Sequence, residues 1–182
     1  MTSFPLAPPE PIAPPDAAGI TLAFERPQDG PRADDLVDRA FGPGRYAKAA
    51  ERLREGNRLR PELSICAWDE GRLVGVARQW PILIGETPAL FLGPFAVEAS
   101  ARGQGVGGAL IVEACRAAEA AGERLTLLVG DLAFFAPFGF EAAPAGWLTM
   151  PGPVDPRRVL WRAHAAGAFE GVGGVVRPPL RR

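Results

Sequence analysis

Between Ile20 and Phe24 the chain reads ITLAF, an apolar/polar alternation that predicts a first strand. Two helical segments are expected next, from about Ala33 to Phe41 and from about Tyr46 to Glu55, separated by Gly42-Pro43-Gly44. The segments LSICAW and RLVGVARQWPILIG follow, joined at Asp69-Glu70-Gly71, which is a hairpin signal. A second turn at Gly85-Glu86-Thr87-Pro88 leads into ALFLGPFAV, apolar almost throughout, as a strand in the centre of a sheet must be. Farther on, Val106, Leu110, Ala114 and Ala117 recur at helical spacing with Ile111, Cys115 and Ala118 beside them. Glu113, Arg116 and Glu119 are the expected wet face, and Gly122 the stop. RLTLLV is another buried strand, so strand, loop, helix and strand make one right-handed βαβ unit. Asp131 is placed to cap a short helix through Phe134 and Phe135, and Gly139-Phe140 turns the chain back. GWLTM and RVLWRA are two further strand candidates before an irregular, mildly basic end. Hairpins first, one βαβ unit in the middle and short strands last give an α+β (mixed α/β) fold.

Composition narrows the class. The chain has 182 residues, 47% hydrophobic, with a formal charge of −1. That is a single soluble domain and not a polybasic nucleic-acid binder. Residues 1–18, MTSFPLAPPEPIAPPDAA, are Pro-rich and expected to form an extended or disordered tail ahead of one domain over 19–182. With no apolar run of membrane-spanning length and no signal-peptide pattern, the expected location is cytoplasmic, away from membranes. Cys66 and Cys115 lack zinc-ligand spacing and are expected to be reduced, structural thiols. The single histidine, His164, sits in an Ala-rich late segment and argues against a metal cluster or a Ser-His-Asp triad, each of which needs a correctly placed imidazole; it is expected on the surface or in a loop, with no metal site. Asp69 and Glu70 are expected to be turn formers rather than paired catalytic acids.

The chemistry concentrates in Arg102-Gly103-Gln104-Gly105-Val106-Gly107-Gly108, four glycines and one arginine in seven residues. Glycine costs about 0.5–1 kcal/mol relative to alanine where regular structure would serve, so the run implies close approach of a ligand to backbone N–H groups. At the start of a helix that ligand is an anion, most commonly phosphate. Two motif readings fit. Gly103 to Gly108 satisfies G-x-G-x-x-G with Asp131 at the end of the next strand, the pattern of a nicotinamide-dependent oxidoreductase. Against it, Glu98 to Arg102 separate the glycines from the strand, and the chain opens with hairpins instead of βα units.

Taken as R-x-x-G-x-G from Arg102 to Gly107, preceded by LFLGPFAV and followed by FFAPFGF (Phe134 to Phe140), the stretch resembles the GNAT superfamily of N-acetyltransferases. The resemblance covers element order from about Ile20 to Arg162. It implies a central mixed sheet of about six to seven strands flanked by helices, with a splayed strand pair forming an acetyl-CoA cleft. It implies transfer of an acetyl group from acetyl-CoA to a primary amine, on a small molecule or a peptide, by direct attack in a ternary complex. Homodimers are common among such proteins.

By the same resemblance, Arg102, Gly103, Gln104, Gly105, Val106, Gly107 and Gly108 hold the diphosphate. The backbone of Phe95, Ala96 and Val97 pairs with the pantetheine arm and polarises the thioester carbonyl, and Phe134 and Phe135 line the sulfur end. The chain departs from the family where many members carry a tyrosine as acid, because Phe134 and Phe135 occupy that short helix; its only tyrosine, Tyr46, lies in the early helical region. Where some relatives place a glutamate base in the strand, Phe91, Leu92 and Phe95 stand. Glu98 is the nearest acid and the candidate base or water-holder, ahead of Glu86. These departures keep a non-catalytic CoA-binding module open as an alternative. Trp68 and Trp80 are candidates for an acceptor groove or for core, and no charge cluster in the early segments names the acceptor.

Overall fold

A computed structural model describes residues 19–179, and the Pro-rich tail expected over residues 1–18 lies outside the described residues. The alternating segments become nine strands: β1 (Ile20–Phe24), β2 (Ile65–Asp69), β3 (Arg72–Ile84), β4 (Thr87–Val97), β5 (Leu125–Val129), β6 (Glu141–Ala142), β7 (Leu148–Thr149), β8 (Val159–Ala163) and β9 (Gly174–Arg177). They form one mixed sheet ordered β1-β2-β3-β4-β5-β8-β6, with β9 on the end of β3 and β7 on β9. The β2–β3 turn has positive φ at both Glu70 (46°) and Gly71 (81°), the conformation that matches the twist of paired strands. β1 to β4 pair antiparallel, and β4 pairs parallel with β5 across the expected helical crossover.

Four helices cover the sheet: α1 (Gly30–Phe41), α2 (Ala49–Arg52), α3 (Val106–Ala120) and α4 (Leu132–Phe135). Ala33, Leu36 and Val37 of α1 pack on Cys66, Val76 and Ala96 on one face. Leu110, Ile111 and Ala114 of α3 pack on Leu22, Ile65 and Ala67 on the other. Strand β2 therefore sends successive side chains to two buried layers, and this explains its unbroken apolar run. A further core at the far end of β3 and β4 joins Ile82, Ile84, Phe91 and Leu127 to Trp161, which stacks on Phe169 at 4.3 Å.

Between Ala77 and Gln79 the β3–β4 register shifts, so that Arg78 alone faces two residues of β4, Gly93 and Pro94. This is a bulge, and its proline brings no N–H to the ladder. The buried Arg78 guanidinium holds Glu25 (Nη2–Oε1 2.5 Å, Nε–Oε2 2.9 Å), Asp34 (2.5 Å) and the Gly30 carbonyl (3.2 Å). One side chain thereby ties the bulge to the end of β1 and the start of α1.

Four expectations are corrected. The helix expected over 46–55 breaks at Lys48, whose extended backbone (ψ 148°) divides a 3₁₀ turn, Pro43–Ala47, from the single turn of α2. Arg45 and Arg54, both on Glu51, tie these turns together in place of a continuous ladder. On α3, Glu113 is buried under Arg116 and Val112 faces solvent. The mildly basic end is not wholly irregular, since Gly174–Arg177 is β9. His164 is no surface residue: its side chain is 0% exposed.

The His164 ring is neutral, because burial holds its pKa below the ordinary value. Its Nδ1 lies 3.1 Å from Arg162 Nη1 and 3.4 Å from Glu119 Oε1, and its Nε2 shares a hydrogen bond with Thr126 Oγ1 (2.8 Å). The unfolded chain, with a histidine pKa of about 6.5, takes up a proton before the folded one does. Stability is complete above that pH and declines as the pH falls through it, until the folded ring also protonates. Urea titrations from pH 7.5 to pH 5 check this: His164→Asn is expected to flatten the decline, and an unchanged slope would refute the assignment.

Candidate active site

Strands β4 and β5 pair only at Leu90↔Thr126 and Phe91↔Leu127. Beyond that point they part, and among the described residues the β5-facing edge of Leu92–Val97 has no strand partner. A cleft of about 790 Å³ opens there, with Leu92–Val97 along one side and Leu128–Asp131 along the other. That volume lies within the range of small-molecule sites.

The glycine run closes the cleft on the face of α3. Gly105 is the N-cap of α3 and takes φ 77°, a left-handed conformation that favours glycine. The first bond of the helix runs from Ala109 N–H to the Gly105 carbonyl (3.0 Å). The N–H groups of Val106, Gly107 and Gly108 therefore have no intrahelical acceptor and sit at the positive end of the helix. Gly103, Gly105, Gly107 and Gly108 all line the cleft, as does Arg102, whose Nε donates to the Val97 carbonyl (3.1 Å). A Cβ added at Gly107 would lie 3.3 Å from Cζ of both Phe95 and Phe134. Phe95, Phe134 and Phe135 form one aromatic wall with centroids 5.0 to 5.8 Å apart. Phe134 is the exposed member and Phe135 the buried one.

Most of the residues singled out in the sequence meet here. Phe95, Ala96, Val97, Arg102, Phe134 and Phe135 join the four glycines on the lining. Gln104 and Val106 do not: the Gln104 amide donates to the Ser100 carbonyl (2.9 Å), and Val106 is fully buried in the core. Glu98 stands off the lining, its carboxylate held by Arg39 at 2.5 Å. Asp131 lines the cleft but caps α4, accepting the Ala133 N–H at 2.9 Å. Tyr46 is exposed, with its hydroxyl between Arg45 and Asp38. Trp68 lies beneath Arg26 and Arg32, while Trp80 donates its indole N–H to the Gly93 carbonyl (2.6 Å) and so steadies the bulge. Glu86 pairs with Arg177 at the far hairpin. Burial pushes the thiol of Cys66 up to about 12 and that of Cys115 to about 11, so neither is a nucleophile near neutral pH. Among the described residues no His, Cys, Asp or Glu cluster has a metal-holding arrangement, and no helix is long and apolar enough to cross a membrane.

Four cations on the lining were not foreseen: Arg45, Lys48, Arg54 and Arg158. The signal was present, because residues 45–60 contain five arginines and one lysine against two glutamates. The broken helix brings part of that group to the cleft, and a continuous helix would have spread it around a cylinder.

Residues 31–140 match the family model described as "Acetyltransferase (GNAT) family". The chain belongs to the GNAT acetyltransferase family. It is 30% identical over 159 residues to the uncharacterized N-acetyltransferase YhbS of Escherichia coli strain K12, covering 86% of this chain and 95% of that one. The crystal structure of the E. coli GNAT family N-acetyltransferase YhbS, solved in complex with CoA, superposes with a TM-score of 0.76 at 28% identity, covering 88% of this chain and 89% of that one. A GNAT family acetyltransferase from Brucella melitensis, solved in complex with acetyl-CoA, superposes with a TM-score of 0.59 at 31% identity over 83% of this chain and 98% of that one. GNAT membership and the antiparallel start of the sheet set aside the oxidoreductase reading of the glycines, because a dinucleotide fold needs repeated parallel βα units.

Proposed function

We propose that this GNAT protein transfers the acetyl group of acetyl-CoA to a primary amine by direct attack in a ternary complex. The observation that carries the reading is the meeting, in one cleft, of the unpaired β4 edge with the glycine-lined start of α3. Free N–H groups and a helix dipole suit a diphosphate, and an unpaired strand edge suits an amide-bearing arm. In this reading Gly103, Gly105, Gly107 and Gly108 let the diphosphate approach, Gln104 and Val106 contribute backbone N–H groups, and Arg102 adds charge. Backbone N–H groups of Phe95, Ala96 and Val97 pair with the arm and polarise the carbonyl, while Phe134 and Phe135 exclude water from the sulfur.

Acetyl-CoA supplies the activated acetyl thioester. The nitrogen lone pair of the neutral amine forms the bond to the acetyl carbon, and the carbon–sulfur electron pair leaves with sulfur. The proton lost by nitrogen passes through water to the departing thiolate, since the phenylalanines of α4 offer no acid. Glu98 serves in this reading as an anchor for Arg39 and α1. Glu98→Gln is expected to lower kcat less than about threefold and to keep the acidic limb of the pH–rate profile; loss of that limb would make Glu98 the base after all.

Melting curves with acetyl-CoA and NADH side by side, followed by thiol release across a panel of amines, test the function. A ligand at a hundred times its Kd stabilises the folded state by about 2.7 kcal/mol. Stabilisation by acetyl-CoA with thiol release is the expected outcome. Tight binding with no thiol release from any amine would make the protein a non-catalytic CoA module.

A further inference from the structure

The cleft crosses the sheet, with the glycine loop on the face of α3 and a second wall on the face of α1. That second wall is built from the end of α1, the turns over residues 45–54 and the segment 153–158. It carries Arg45, Lys48, Arg54 and Arg158 on an apolar ground of Phe41 and Val154. Arg54 is the innermost: its side chain is 9% exposed, and Nη1 lies 3.6 Å from the position of a Cβ on Gly93, directly over the β4 bulge.

These charges are incompletely matched. One oxygen, Glu51 Oε2, serves both Arg54 Nη2 (2.6 Å) and Arg45 Nη1 (3.4 Å). Arg45 has Asp38 as well (2.7 Å). Among the described residues, Lys48 and Arg158 have no carboxylate within ion-pairing distance; the Lys48 ammonium lies 5.7 Å over the Phe41 ring, and Arg158 Nε reaches only the Gly130 carbonyl (3.4 Å). The lining carboxylates offset this only in part: Arg157 holds Asp155 through two bonds (3.1 and 2.8 Å), Asp131 caps α4, and these two face Arg45, Lys48, Arg54, Arg102 and Arg158. Such a wall repels a polycationic amine and receives an anion, and a guanidinium fork matches a carboxylate or phosphate best.

Resting on the acetyltransferase reading above, we infer that the amine acceptor carries an anionic group on a short apolar body, as an amino acid does, and that Lys48, Arg54 and Arg158 receive that group. The same cations disfavour the ammonium form of the bound amine and so favour the neutral nucleophile.

The test compares paired amines in thiol release: L-phenylalanine with phenethylamine, and O-phosphoethanolamine with ethanolamine, with spermidine as the cationic control. The anionic member is expected to have at least tenfold higher kcat/KM, the first pair reporting carboxylate and the second phosphate. Calorimetry of the same amines with CoA-saturated protein gives a readout independent of turnover. Lys48→Glu and Arg158→Glu, both at exposed positions, are expected to lose the preference and leave the Kd of acetyl-CoA within about twofold. Equal rates within each pair, a preference for spermidine, or weakened acetyl-CoA binding in these variants would overturn the inference. Failure of the wild-type protein to bind acetyl-CoA would instead sink the acetyltransferase reading on which it rests.

Discussion

A Gly107→Leu protein is expected to fold and to lose acetyl-CoA affinity by at least about a hundredfold, roughly 2.7 kcal/mol. The position is chosen on conformational grounds. Gly105 has φ 77°, so any side chain there strains the backbone and confounds folding with binding. Gly107 has no positive φ and lies within the first turn of α3, where leucine is a good helix former. Its Cβ would point at the rims of Phe95 and Phe134, and Phe134 is exposed enough to swing aside. The remaining leucine carbons then occupy the mouth of the cleft, over the N–H groups proposed to hold the diphosphate. Isothermal calorimetry gives the affinity, and circular dichroism with a melting curve confirms the fold. Undiminished affinity in a folded variant would mean that the diphosphate lies elsewhere.

What the sequence revealed and what it hid follow from one physical distinction. Local rules governed β2–β3, where Asp69-Glu70-Gly71 has the turn chemistry of a tight hairpin, and α3, where the period of apolar residues and Gly122 set the extent. The glycine run was legible for the same reason, since four glycines in seven residues have few structural explanations. Tertiary contacts decided the rest. β9 is four residues long and exists because Val176 fills a pocket beside Ile82 and Ile84, which no local pattern announces. His164 sits in an Ala-rich late segment with no periodicity to mark it as buried, yet Thr126 and Arg162 enclose it through strand pairing. The cationic wall depends on a break at Lys48 that ion pairs across the turns maintain, so its residues were countable but their common direction was not.

The second large effect concerns Arg78, which the hydrophobic pattern concealed inside an apolar strand. Its side chain is 7% exposed and that of Glu25 is 3% exposed. Arg78→Ala leaves the Glu25 carboxylate buried without its partner, at an expected cost of about 3–5 kcal/mol. For a chain of this size that corresponds to a fall in Tm of roughly 6–20 °C. Removing both charges is a different experiment: Arg78→Met with Glu25→Leu strands no buried charge, Asp34 being exposed to water, and is expected to recover most of the loss, because a buried pair stabilises little over apolar groups of similar volume. The site supplies a separate readout. Arg78 is the β3 residue facing Gly93 and Pro94, so the double variant keeps stability but loses the tie between the bulge, β1 and α1. If that tie sets the splay of β4, the double variant regains Tm while KM for acetyl-CoA stays raised. Recovery of both would show that the bulge is fixed by β4 itself and by the Trp80–Gly93 bond, and a loss below about 1 kcal/mol in Arg78→Ala would show that Glu25 finds water or another partner.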